Sequence, residues 1–215
     1  MNAIHKTLSE LIPDRFILGM GVSHAPLVAD IRGHDYKKPV STMRNYIDGM
    51  GSSLFMSTEA VEPAPIVLAA LRTNMLKLAA EKVSGAHPYF VPPEHTARAR
   101  ETMGDNALLC PEQMVLLESD PEKARAIARQ HMATYIDLPN YRNNLLEFDF
   151  STEDFENGGS DKLVDAIVAW GSEEDIRARI QAHWDAGADH VCIQPFRPDG
   201  EMGPDEKLLE LLAPA

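Results

Sequence analysis

A serine–histidine pair follows the first strongly apolar run of the chain. Residues 21–25 read GVSHA and resemble the nucleophile elbow G-x-S-x-G, with alanine for the last glycine. An elbow needs a helix directly after the serine, so that the hydroxyl is raised above the sheet. Pro26 and the charged stretch 29–38 predict a loop instead, and the histidine at 190 lies at the start of its predicted strand, the wrong end for a catalytic base. These features argue against a serine hydrolase that uses Ser23, which stays open only as an alternative.

The same run ends in two glycines, Gly19 and Gly21. A dinucleotide-binding fingerprint needs a third glycine, where this chain has His24, and a helix that begins at once. The spacing therefore argues against a nucleotide fold of that kind.

Residues 69–74 (AALRTN) join the end of a second apolar run to the start of a helix. The unpaired amides of a helix N-terminus attract anions, and Arg72 and Thr73 add a cation and a hydroxyl. The pattern indicates a phosphate cradle, with a plain helix cap as the alternative.

A third apolar run, residues 85–91 (GAHPYFV), carries polar groups near its carboxyl end. His87 and Tyr89 alternate to the same side of the predicted strand, and in a parallel barrel that end faces the active site. The alternative is two hydrogen-bonded groups at a barrel rim.

Composition excludes several other functions. The formal net charge of −13 opposes binding to nucleic acid. The eight histidines show no tight ligand spacing, so no metal site is predicted. Two cysteines far apart in sequence favour a reducing cytoplasm over a disulfide framework. No apolar run approaches the ~18 residues of a membrane span, and the first ten residues do not form a secretory signal.

Short apolar runs alternate with amphipathic stretches, which is typical of βα units and a mainly parallel sheet. We predict one domain over residues 1–215 with five strands, at 15–20, 65–71, 85–91, 113–117 and 190–195. The end of a helix is predicted at 7–11, and helices are predicted at 39–50, 73–83, 93–103, from 121, at 162–170, 173–187 and 205–212, with short helices within 137–160. A closed (β/α)₈ barrel needs eight strands. The pattern therefore indicates an incomplete barrel, with an open five-stranded sheet as the alternative.

Several of these segments resemble one known family. The segments 15–24 (RFILGMGVSH), 67–100, 139–146 (PNYRNNLL), 159–171 and 185–194 are similar to the bacterial-luciferase-like superfamily, and within it to F420-dependent oxidoreductases. The resemblance covers nearly the whole chain. It implies a (β/α)₈ TIM-barrel fold of which strands four to eight are present and the first three βα units are absent.

The resemblance also implies a function and a set of site residues. The family binds coenzyme F420 or FMN and transfers hydride equivalents to small organic substrates. Val22 and Ser23 would lie beside the ring, and His24 could hydrogen-bond or protonate near it. Ala70, Leu71, Arg72 and Thr73 would hold the cofactor phosphate, and His87 and Tyr89 would line the substrate pocket.

Absent βα units would leave strand edges unpaired, and such edges invite association. A few hundred Å² of wet apolar surface costs several kcal/mol, at ~25 cal/mol per Å². The sequence leaves three explanations open: a truncated chain, a homo-oligomer or partner that covers the edges, or a rearranged fold. A non-catalytic luciferase-like subunit that acts through oligomerisation is the second functional alternative.

Overall fold

Short segments of two to five residues form the strands, and mostly longer segments form the helices between them. The computed structural model describes residues 1–58, 60 and 62–213. The strands are β1 Leu18–Met20, β2 Ile66–Ala69, β3 Gly85–His87, β4 Leu108–Leu109, β5 Glu112–Leu116, β6 Val168–Trp170 and β7 Cys192–Phe196.

Nine α-helices occur within these described residues. They are α1 Asn2–Leu11, α2 Pro39–Ser52, α3 Thr73–Lys82, α4 Pro93–Met103, α5 Pro121–Met132, α6 Pro139–Leu145, α7 Asp161–Ile167, α8 Glu173–Asp185 and α9 Glu206–Leu212. A π-helix spans Pro26–Ile31 and a 3-10 helix spans Thr152–Gly158. In the described part of the chain, every helix is too short or too polar to span a bilayer.

The strands form two sheets. The first has the order β1-β2-β3-β4, and the second has the order β6-β5-β7. The pairs β1–β2, β2–β3, β5–β6 and β5–β7 are parallel. This is an α/β fold with parallel strands and connecting helices, as the sequence predicted.

The chain divides into two compact units. The first comprises residues 1–87 and 102–108, and the second comprises residues 88–101 and 109–215. The prediction of a single domain over 1–215 is not tested by this division and stays a prediction.

The first unit contains a close approach between two strands. A Cβ built on Gly85 would lie 2.0 Å from the carbonyl oxygen of Leu108. No side chain fits in that space, so the contact between β3 and β4 requires glycine.

The core of the second unit lies between its sheet and the helices that cover one face. Val115, Ala169, Ile176 and Leu208 are buried together there. Local capping fixes the helix starts: the Asp120 carboxylate accepts the amides of Glu122 and Lys123, and Ser172 and Asp175 form a capping box.

Several predicted boundaries agree with the structure, and others are wrong. The helix predicted at 93–103 is α4, and the cap at Asp120 before Pro121 is present. The predicted helix 162–170 is wrong at its end, because Val168–Trp170 leave the helix and form β6 beside β5. The loop predicted after Pro26 is also wrong over residues 26–31, which form the π-helix.

Candidate functional site

The carboxyl edge of the first sheet gathers most of the side chains that the sequence singled out. Met20 is in register with Leu68, and Ala69 is in register with His87. Because parallel strands end at the same edge of a sheet, the segments 21–24 and 70–73 and His87 lie along this edge. The edge is close-packed, since a Cβ on Gly21 would lie 3.1 Å from the Cβ of Ala69.

A cavity of about 390 Å³ opens within the first unit beside the end of β1. Its walls come from β1, the residues that follow it, the π-helix and α2, and they are mostly apolar. The lining residues are Met1, Gly19, Met20, Gly21, Val22, Val28, Asp35, Tyr36, Pro39, Thr42, Met43 and Tyr46. Of the residues predicted to lie beside a flavin ring, Val22 lines this cavity.

Ser23 occupies a tight turn between β1 and the π-helix. Its φ is 60°, in the left-handed region that a serine seldom adopts. The hydroxyl of Tyr36 donates a 2.7 Å hydrogen bond to the Ser23 carbonyl oxygen. Burial raises the pKa of Tyr36, so this phenol stays a donor through the neutral range. The turn is therefore fixed from the wall of the cavity.

This turn bears on the hydrolase alternative. The sequence predicted no helix after Ser23, yet helical backbone begins within three residues, and the Val28 amide donates to the His24 carbonyl. The strand–turn–helix backbone of an elbow is therefore present. His190, the base considered for it, precedes β7, which begins at Cys192.

The predicted phosphate cradle lies at the start of α3. Arg72 is the N-cap residue and Thr73 is the first helical residue, both with exposed side chains. The first turn of α3 carries no acidic residue, whereas that of α8 carries Glu173, Glu174 and Asp175. Acids in a first turn neutralise the positive end of the helix dipole, so this end of α3 retains its attraction for an anion. Ala70, just before it, is buried.

His87 and Tyr89 do not share a strand, contrary to the prediction. β3 ends at His87, and the backbone then turns through Phe90, whose φ is 60°. The strict alternation of a strand therefore does not extend to Tyr89. His87 is half-buried at the edge of the first sheet, and Tyr89 belongs to the second unit.

Tyr89 lies in a cluster of aromatic rings and polar groups that the sequence analysis missed. Its ring centroid is 5.0 Å from that of Tyr135 and 6.1 Å from that of Tyr141. Its hydroxyl donates a 2.8 Å hydrogen bond to Oε1 of Gln194. Burial, and then the neighbouring Glu112, raise the pKa of Tyr89.

Glu112, the first residue of β5, is 5% exposed. Burial raises the pKa of its carboxyl to about 8. A lone carboxyl in a strand carries no sequence signal of this kind, because its burial depends on Tyr89 and β7, which are distant in sequence.

A second buried polar network lies on the opposite face of β5. His183 Nε2 donates to Gln113 Oε1 at 3.0 Å, and Thr96 Oγ1 donates to His183 Nδ1 at 2.8 Å. These roles follow because Gln113 Nε2 already donates to the carbonyls of Met114 and Ile167. The hydrogen-bonding groups of this network are paired with one another and with backbone carbonyls, which indicates a structural role. Among the described residues, no group of three or more histidine, cysteine or acidic side chains is arranged to hold a metal ion.

The family model for luciferase-like monooxygenases matches residues 5–190. The chain belongs to this family. No curated protein sequence matches the chain.

Solved structures of the same kind show the fold. An F420-dependent secondary alcohol dehydrogenase, solved with an F420–acetone adduct, superposes with a TM-score of 0.67 at 14% identity, over 92% of this chain and 68% of that one. The coenzyme F420-dependent tetrahydromethanopterin reductase of Methanopyrus kandleri gives 0.62 at 17% identity, over 98% and 76%.

A third neighbour is the oxygenating constituent of the 3,6-diketocamphane monooxygenase of Pseudomonas putida, a type II Baeyer–Villiger enzyme solved with FMN. Its TM-score is 0.59 at 14% identity, over 89% of this chain and 67% of that one. The chain thus has the luciferase-like TIM-barrel type of fold and spans two thirds to three quarters of these structures. That partial coverage agrees with the incomplete barrel expected from the sequence.

Proposed function

We propose that this protein is an F420-dependent oxidoreductase of the luciferase-like family, with FMN as the alternative cofactor, acting on a small organic substrate. The observation that carries the proposal is the carboxyl edge of the first sheet. There, an apolar cavity and an acid-free helix N-terminus lie at the ends of neighbouring strands in a member of this family.

The residues present suit such a cofactor. The exposed Gly19 leaves open space beside the cavity, since a Cβ built there meets nothing within 4 Å. An apolar wall with few polar groups is what a flat ring system requires. The amides at the start of α3, with Arg72 and Thr73, suit a phosphate. When bound, the deazaflavin or flavin supplies the hydride chemistry, and the protein binds and orients.

Each predicted residue then has a defined role in the proposal. Val22 and Ser23 shape the ring side of the site, with His24 as a hydrogen-bond or proton donor near the ring. Ala70, Leu71, Arg72 and Thr73 hold the phosphate. Of the two predicted substrate-pocket residues, His87 lies at this edge of the first sheet, and Tyr89 keeps its predicted role within the second unit. A cytoplasmic location, expected from the cysteines, completes this proposal.

The test is titration of the purified protein with F420 and with FMN, followed by cofactor fluorescence. We expect binding to the wild-type protein and at least a tenfold weaker affinity for Arg72→Ala. Lys77→Ala is the matched control, because Lys77 is an exposed cation on the same helix but away from its N-terminus. No fluorescence change with either cofactor, or equal losses in the two variants, would overturn the proposal.

A second candidate function is association of two copies as a non-catalytic luciferase-like subunit. β1 is the edge strand of the first sheet within the described residues. Helix α1 turns His5 and Ser9 inward, where His5 Nε2 bonds the Ala64 carbonyl at 2.7 Å, and leaves Ile4 and Leu11 57% and 69% exposed.

The local charge also favours a second copy of this chain as the occupant. Residues 1–58 contain six Lys and Arg against five Asp and Glu, although the whole chain carries −13. Two such segments would therefore meet with little electrostatic repulsion. An exposed apolar stripe beside an edge strand is the kind of surface that associates.

Sedimentation velocity of the cofactor-free protein tests this candidate. We expect a dimer or larger species that dissociates in the double variant Ile4→Glu/Leu11→Glu. Thr7→Glu is the control, because it places the same charge on an exposed polar position of α1. A well-folded wild-type monomer would exclude this function.

A further inference from the structure

The two faces of strand β5 differ in what they carry. Gln113 points to the helix side, where it contacts His183 of α8. Because side chains alternate along a strand, Glu112 and Met114 point to the opposite face. Glu112 is in register with Cys192 and Met114 with Gln194, so both β7 residues share that face. A face that would serve only as core has no need of a carboxyl and an amide.

Glu112 holds the turn that carries Tyr89 at two points. Its backbone N–H donates to the Pro88 carbonyl at 2.9 Å. Its side-chain Oε2 accepts the N–H of Phe90 at 3.3 Å. Glu112 of β5 thus forms hydrogen bonds with the residues immediately before and immediately after Tyr89.

The turn needs these two hydrogen bonds because its backbone is strained. Phe90 is fully buried at a φ of 60°, a conformation that costs a bulky residue of order 1 kcal/mol or more. The Phe90 ring packs against Tyr135 and Tyr141 with centroids at 5.7 and 5.4 Å. The surrounding contacts therefore hold the backbone in a strained position, as is common where a side chain must be aimed.

The turn sets the direction of the Tyr89 hydroxyl. That hydroxyl reaches Gln194 on the same face of the second sheet, and Tyr89 is half-buried. The backbone of Tyr89 is thus fixed by β5, the middle strand of the second sheet, and its hydroxyl by the adjacent strand β7.

We propose that Glu112 is a positioning residue for Tyr89. Its hydrogen bonds with Pro88 and Phe90 hold the turn and so set the direction of the Tyr89 hydroxyl toward Gln194 and toward a ligand. This inference rests on the proposed function, which assigns Tyr89 to the substrate pocket. Because Tyr89 already donates its one proton to Gln194, its oxygen can only accept a hydrogen bond from a ligand. The ligand class that it suits is therefore a neutral organic molecule with a hydroxyl group.

The hydrogen bond between the Phe90 N–H and the Glu112 side chain depends on the charge of that side chain. The titratable groups that face its carboxyl are Tyr89 in the turn and Cys192 in β7. Neither is a cation, and Oε1 of Glu112 has no hydrogen-bond partner among the described residues. The acid is therefore held uncharged at neutral pH, with a pKa of about 8. Ionisation would strengthen the bond from the Phe90 N–H, but burial of the charge is the larger effect. The carboxylate should therefore move toward water, and the turn should then loosen.

The experiment follows the tyrosine signal in near-ultraviolet circular dichroism from about pH 6 to about pH 9, below the range of ordinary tyrosines. We expect a transition with a midpoint near pH 8 in the wild-type protein. Glu112→Gln should keep the neutral-pH spectrum at all pH values, because its amide oxygen still accepts the Phe90 N–H. Tyr89→Phe should lose the transition, which assigns the signal to this ring.

Glu112→Ala should show the loosened spectrum already at neutral pH, and its rescue by glutamine separates positioning from mere filling of space. If Glu112→Gln titrates like the wild type, or if the wild type shows no transition, the inference is wrong. The outcome is independent of the cofactor titrations: failure to bind F420 and FMN would end the proposed function while leaving the dichroism transition in place.

Discussion

The hydroxyl of Tyr36 donates a 2.7 Å hydrogen bond to the carbonyl oxygen of Ser23. This bond joins a residue of the cavity wall to the turn at the end of β1, across thirteen positions of sequence. Tyr36 itself lines the cavity, so the shape of the cavity and the left-handed turn at Ser23 depend on one another.

Tyr36→Phe should therefore affect both stability and binding. Loss of one hydrogen bond at a half-buried site should cost about 1 kcal/mol in the free energy of unfolding. Affinity for F420 or FMN should fall severalfold, because the turn beside the ring site is no longer held. Urea unfolding and cofactor titration measure the two effects. Tyr46→Phe, at an exposed tyrosine that also lines the cavity, should leave the free energy of unfolding unchanged.

Gly85→Ala should destabilise the protein by at least about 2 kcal/mol, because the new methyl group would overlap the Leu108 carbonyl and push β4 from β3. Gly19→Ala is the matched control in another strand of the same sheet. Its methyl group meets nothing within 4 Å, so stability should change by less than about 0.5 kcal/mol. Thermal unfolding of both variants measures the difference, and equal Tm values would contradict the close contact.

His183 should make the protein less stable in mild acid. Burial lowers its pKa from 6.5 to about 4 in the folded state. Between these values the unfolded chain binds a proton that the folded chain refuses, so the contribution is full above about pH 6.5 and is lost as the pH falls to about 4. The loss is on the order of 3 kcal/mol.

Urea unfolding across this pH range measures the effect. His183→Gln should show a shallower loss of stability with falling pH than the wild type. His34→Gln, at an exposed histidine, should keep the wild-type slope. Identical slopes in all three proteins would show that His183 is not the group responsible.

The hydrolase alternative makes a covalent prediction at Ser23. An active elbow serine would be labelled by a fluorophosphonate probe, and the label would disappear in Ser23→Ala. We expect no label, because His190 precedes β7 and so lies at the opposite end of that strand from the usual base. Mass spectrometry of the treated protein decides the matter, and a stoichiometric adduct on Ser23 would favour hydrolysis.

Much of the fold could be predicted where a local signal marks an element boundary. Proline at the first position of α4 and α5, and the side-chain caps at Asp120 and Ser172, fix those helices without help from the rest of the chain. β6 could not be predicted in this way. No glycine or proline separates it from α7, and only pairing with β5 ends the helix at Ile167.

The candidate site likewise has one part that the sequence could predict and one part that depends on long-range contacts. The segments 21–24 and 70–73 could be placed together, because the ends of parallel strands must meet at one edge. The surroundings of Tyr89 could not, because they depend on the left-handed backbone of Phe90 and on contacts with Glu112 and Gln194. Such contacts join residues more than twenty positions apart and leave no periodic pattern in the sequence.

The contact between Gly85 and the Leu108 carbonyl has a consequence for the divergence of this sequence. Any single-base change of a glycine codon that alters the residue introduces a side chain, and none fits against that carbonyl. Lineages that keep the pairing of β3 with β4 should therefore retain glycine at this position while their cavity-lining residues drift. Replacement of this glycine would mark the relatives in which the first sheet has been rebuilt.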